Sequence, residues 1–85
     1  MKKVMVYLKS INRAKKFVDT ISKFDCDFRL VANKLEIDPK SIMAVLSLDI
    51  SKEIELDIFA EGDQLEEILA VIRDYQVDEP ESDPS

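Results

Sequence analysis

The chain has 85 residues, 46% of them hydrophobic and 35% charged, with one glycine, three prolines, one cysteine and no histidine. That suffices for a single hydrophobic core, and it excludes collagen-like or low-complexity architectures, an intramolecular disulfide and any chemistry that needs an imidazole. The net charge of -6 hides an asymmetry: residues 1–24 carry seven Lys/Arg against Asp19 alone, which leaves 17 acids against five bases in the rest.

Residues 3–8, "KVMVYL", alternate, with Val4, Val6 and Leu8 on one face, and predict a strand. Ser10 can cap the helix that follows by accepting from a free N–H of its first turn. Ile11, Ala14, Phe17, Val18 and Ile21 recur at three- and four-residue spacing and predict its buried stripe, ending near Lys23. "CDFRLVA" at 26–32 alternates again, and Asn33-Lys34 reads as a two-residue turn into the short strand "LEID". Asp38-Pro39 stops that strand, because proline removes a ladder donor.

Residues 41–47 predict two turns of helix, with Asp38 or Lys40 near its start and Ser41 a candidate cap. Two turns cannot bury all of Ile42, Met43, Val45, Leu46 and Leu48, so part of this run is expected to face solvent. In "EIELDIFA" at 53–60, Ile54, Leu56, Ile58 and Ala60 are expected inward and Glu53, Glu55, Asp57 and Phe59 outward. Gly62 turns the chain, and Asp63 is the expected cap of a last helix with a stripe of Leu65, Ile68, Leu69 and Ile72. "VDEPESDPS" at 77–85 has four acids, two prolines and no large apolar residue after Val77, the composition of a disordered tail.

The order β-α-β-β-α-β-α, with short one-sided strands, predicts an α+β fold. The expected architecture is an open-faced sandwich: a four-stranded antiparallel sheet with three helices on one face. One domain over 1–76 and a tail over 77–85 are expected. The lone Cys26 suits a reducing cytoplasm, and no apolar stretch approaches the roughly 20 residues of a membrane span. Lys9 and Arg13 interrupt any signal-peptide core. The basic N-terminal stretch lacks interleaved aromatics or a recognisable module, so no nucleic-acid partner is expected. No metal or other cofactor is expected, since the chain has no histidine and Asp25 and Asp27 read as strand-edge charges around Cys26. The pairs Glu66-Glu67 and Glu53-Glu55 read as solvated faces.

"SKFDCDFRL" at 22–30, "KSIMAVLSL" at 40–48 and "AEGDQLEEILAVI" at 60–72 resemble HPr, the histidine-containing phosphocarrier of the bacterial sugar phosphotransferase system. The resemblance covers about residues 2–76 and implies the same β-α-β-β-α-β-α fold. In that family a histidine before the first long helix carries the phosphate, followed by Ala-Arg-Pro. Gapless alignment from "SKFD" puts Ser10 at the histidine position, with Ile11, Asn12 and Arg13 after it; a one-residue shift in this stretch puts Asn12 there instead.

The difference is chemical. A phosphocarrier must accept and release phosphate at similar free energy, and neutral imidazole is both a nucleophile and a good leaving group. A serine phosphate is an ester with a poor leaving group, an amide is no nucleophile, and no general base accompanies Ser10. What remains there is a helix cap and a weak anion site of Ser10 and Arg13 at the helix N-terminus.

The resemblance places Ser41 at the serine that a dedicated kinase phosphorylates in many Gram-positive members, although the family's glycine after the methionine is Ala44 here. It aligns Ile42, Met43 and Leu46 with the apolar patch through which HPr docks its partners. A non-enzymatic, histidine-less regulatory module, similar in logic to the HPr paralogue of catabolite repression, is the expected function. It would bind protein partners through the short second helix, with a monomer as the expected state. The alternative is a phosphocarrier with an unrecognised acceptor.

Overall fold

The structure is a computed structural model, and it describes residues 1–77. Strand β1 (Lys2–Tyr7) leads into helix α1 (Ile11–Ile21), strands β2 (Asp27–Ala32) and β3 (Leu35–Ile37), helix α2 (Ile42–Leu46), strand β4 (Glu53–Phe59) and helix α3 (Gly62–Val71). A 3-10 turn at Arg73–Tyr75 follows. The four strands form one antiparallel sheet in the order β1-β4-β2-β3, with three α-helices among the described residues, which is the expected α+β architecture.

Register explains which residues are inside. Val4, Leu56, Leu30 and Ile37 form one row across all four strands, and Lys3, Asp57 and Arg29 form the row on the opposite face. The inner face carries Val4, Val6, Ile54, Leu56, Ile58, Phe28 and Leu30, all buried. Onto it pack Ala14, Phe17, Val18 and Ile21 of α1, Val45 of α2 and Ile68 of α3, closing one core. The hairpin at Asn33-Lys34 forms without glycine: both residues adopt positive φ (53° and 68°), and Asn tolerates that region better than most.

Several details depart from the expectation. Ile11 is 55% exposed, so the buried stripe of α1 begins one turn later, at Ala14. Ser41 caps α2 as expected, while the Asp38 carboxylate accepts from the Lys40 N–H (2.9 Å) and closes the turn before it. Asp63 lies inside the first turn of α3, and Glu61 at the cap position makes no side-chain cap bond. Leu65 and Leu69 are half-buried against the core, whereas Ile68 and Ile72 are fully buried. Asp57, expected in solvent, is 2% exposed. At the end of the chain, the Val77 N–H donates to the Met5 carbonyl (2.9 Å) and Gln76 bridges Val6, so residue 77 pairs with β1. Residues 78–85, the rest of the expected disordered tail, lie outside the described residues.

Candidate functional site: two serine-capped helix starts

Two helices begin on a serine cap. Ser10 has extended backbone, and its Oγ accepts from the Arg13 N–H at 3.3 Å. Ser41 repeats the arrangement, accepting from the Ala44 N–H at 3.4 Å. Each cap answers one of the N–H groups a helix start leaves free. Both serines are exposed.

The approach to Ser10 is tight. The Ser10 N–H donates back to the Leu8 carbonyl (2.8 Å), closing a three-residue turn around Lys9, whose φ is 77°. Such a positive-φ γ-turn is rare and strained for a residue with a side chain. The Lys9 N–H donates to the Ile50 carbonyl (3.0 Å), which ties this turn to the loop after α2.

Arg13, one turn into α1, is absorbed by the structure. Its Nε donates to the Leu8 carbonyl (3.2 Å), its Nη2 donates to the Asp74 carbonyl (2.9 Å), and its guanidinium lies 4.7 Å from the centre of the Tyr75 ring. Tyr75 in turn meets Phe17 edge-to-face at 5.3 Å. Arg13 is therefore a clamp between the start of α1 and the end of the chain, not a free cation beside Ser10. Of the weak anion site expected from Ser10 and Arg13, the arginine directs its Nε and Nη2 donors at those two carbonyls. Asn12, the other candidate for the histidine position, is exposed on the first turn.

Around α2 the arrangement is different. Val45 is fully buried, Ile42 and Leu46 are half-buried against the core, and Met43 is 77% exposed. Of the three residues expected to form an apolar patch, Met43 alone stands clear of the surface, because a two-turn helix laid on a core must turn its other apolar side chains inward. Ala44 is half-buried. Lys40, which the sequence placed only near the start of this helix, is a clamp: its Nζ donates to the carbonyls of Phe24 (2.8 Å) and Cys26 (3.1 Å) and lies 5.7 Å from the Phe28 ring centre. It fastens the residue before Ser41 to the loop between α1 and β2. Burial pushes the thiol of the neighbouring Cys26 up from its ordinary pKa. No cluster of three or more metal-ligating side chains occurs among the described residues.

The family model described as the PTS HPr component phosphorylation site matches residues 11–76. This chain belongs to the HPr family. The match begins one residue after Ser10, so the gapless candidate for the histidine position lies just outside it. A crystal structure of HPr-C-His from Thermoanaerobacter tengcongensis is 31% identical, with 87% of this chain and 89% of that one covered and a TM-score of 0.70. The histidine-containing phosphocarrier protein of a mycoplasma shares the fold at 20% identity, covering 86% of this chain and 89% of its own, with a TM-score of 0.66. HPr proteins are phosphocarriers of the phosphotransferase system rather than enzymes in the strict sense, and they interact with other proteins of that system. Among the described residues no helix is long and apolar enough to cross a membrane.

Proposed function

We propose that this HPr-family chain is a regulatory or interaction module that does not carry phosphohistidine. The observation that carries the reading is the absence of histidine from all 85 residues, in a family whose phosphate-bearing group is an imidazole. The geometry around Ser10 supports it. The hydroxyl is spent on capping α1, and Arg13 beside it is bound to backbone carbonyls and stacked on Tyr75. Among the described residues no side chain is hydrogen-bonded to Ser10 Oγ as a base that would raise the nucleophilicity of that oxygen.

The region around α2 keeps what a docking and modification surface needs. Ser41 is exposed at a helix cap, Met43 projects into solvent beside it, and Ile42 and Leu46 form the half-buried base of the patch. A flexible thioether in that position adapts to different partners. A phosphate on Ser41 would add negative charge at a helix start, where it is tolerated. The module acts in the cytoplasm of a bacterium on this reading, with protein partners of the sugar phosphotransferase system or its regulators.

The test is incubation with phosphoenolpyruvate and the general phosphotransferase of the sugar system, beside a histidine-containing HPr. The chain should stay unlabelled while the control takes up acid-labile phosphate; stoichiometric acid-labile phosphate on this chain would overturn the proposal. A serine kinase acting on HPr should label Ser41 and leave Ser41→Ala unlabelled. Labelling that persists in Ser41→Ala would move the regulatory site elsewhere.

A further inference from the structure

The helices cover one face of the sheet, and the other face carries an unbalanced charge. On the central strand β4, Glu53, Glu55 and Asp57 all point to that open face, and Glu36 and Asp27 join them from β3 and β2. Against these five carboxylates stand two cations, Lys3 and Arg29, and both are already engaged. Lys3 Nζ lies 3.6 Å from Glu55 Oε2, and Arg29 contacts both Glu36 Oε1 and Asp57 Oδ2 at 3.3 Å. Like charges two residues apart on one strand face repel, so the row is an electrostatic liability that further cations would relieve.

Asp57 is the second observation. It sits between Lys3 and Arg29 in the same cross-strand row, its side chain is 3% exposed, and its Oδ1 has no hydrogen-bond partner among the described residues. A carboxylate oxygen left unpaired at that depth is costly, and one more donor brought to this face would answer it. Phe59, 40% exposed, adds an aromatic surface at the end of the row. Arg29 already stacks on it at 5.0 Å, beside a recess of about 370 Å³ lined by the carboxylates of Asp27, Glu36 and Asp38 and by Lys40, whose ammonium is bound to the Phe24 and Cys26 carbonyls. Carboxylates around an exposed ring suit a guanidinium or ammonium group with an apolar stem.

We propose that the open face of the sheet is a second docking surface, and that it takes an arginine- or lysine-bearing segment of a protein partner. This surface lies on the side of the sheet opposite α2, so one chain could hold two partners at once. It does not depend on the phosphohistidine reading above.

The test uses the ¹⁵N-labelled full chain and a short synthetic peptide of alternating arginine and alanine, at low salt. Amide shifts should move at Arg29, Glu55, Asp57 and Phe59. The double substitution Glu36→Gln/Glu55→Gln should weaken the peptide about fivefold, as loss of two exposed charge pairs implies. Glu66→Gln/Glu67→Gln on α3 removes the same net charge from a different face and should leave the affinity essentially unchanged. Equal weakening by the two doubles would reduce the effect to net charge and overturn the proposal. Shifts confined to α3 or to residues 78–85, or no binding at all, would overturn it too. Asp57→Asn, provided that its melting temperature matches that of the parent chain, should weaken the peptide further than either double.

Discussion

The starts of α1 and α2 share a serine cap of nearly the same geometry and differ in everything around it. At α1 the cap is preceded by the strained Lys9 turn and followed by Arg13, which the fold uses to tie Leu8, Asp74 and Tyr75 together. At α2 the clamp comes from Lys40, on the N-terminal side of the serine, and the residues after it run from half-buried to fully exposed. A cap is a local device, and alone it says nothing about function. What separates the two regions is whether the next turn of side chains is tied inward, as at Arg13, or left outside, as at Met43.

The widest contrast should appear between the buried and exposed apolar residues of the two helices. Phe17→Ala removes a fully buried ring that also meets Tyr75, and should cost about 3–5 kcal/mol in chemical denaturation. Met43→Ala should cost less than about 0.5 kcal/mol, as an exposed truncation does, while weakening any partner that docks on α2. Comparable losses from the two would make Met43 a core residue and remove the physical basis of the patch.

Arg13 sharpens the comparison at the next level. Arg13→Ala gives up two hydrogen bonds to carbonyls and a cation–π contact and should destabilise by about 1–3 kcal/mol. Arg13→Lys keeps the charge without the planar fork and should recover less than half of that. If Arg13→Ala melts with the parent chain, the guanidinium is free at the α1 start and the distinction from α2 weakens.

The turn before Ser10 gives a smaller effect of opposite sign. Lys9→Gly at φ 77° should raise stability by about 0.5–1 kcal/mol, since glycine alone adopts that region without steric cost. A loss of stability would mean that the Lys9 side chain has a partner worth more than the strain.

The smallest effect is a pH dependence in the loop after α2. The Oγ–H (2.5 Å) and backbone N–H (3.1 Å) of Ser51 both donate to Asp49 Oδ1 and hold its carboxyl below the usual aspartate range. Because the folded value is the lower one, the contribution to stability is present above the ordinary carboxylate pKa and fades as pH falls through the folded value. The group is on the surface, so the effect is slight. NMR titration should place the Asp49 transition below that of a free aspartate, and Ser51→Ala should move it back up. An unchanged titration in Ser51→Ala would assign the shift to another cause.

Periodicity alone was enough for the strands, the helices and most of the core. Val4, Val6, Phe17, Ile21, Ile54, Leu56, Ile58 and Ile68 repeat at spacings of two or of three and four, and burial followed those spacings. The missing histidine, the serine cap at Ser10, the proline stop at Pro39 and the Asn33-Lys34 turn were equally plain, because each rests on one residue type and its immediate neighbours. Only tertiary structure decided the rest. Ile11 belongs to the apolar stripe by spacing, yet its side chain is left 55% exposed. Asp57 belongs to the outward set, yet Arg29 and Lys3 flank it from strands distant in sequence and its carboxylate is buried. Arg13 reads as a free cation beside Ser10 until Asp74 and Tyr75, some sixty residues on, come to meet it. Spacing along the chain states which way a side chain leaves its own element. Whether solvent, a carbonyl or a ring awaits it there depends on segments that folding alone brings near.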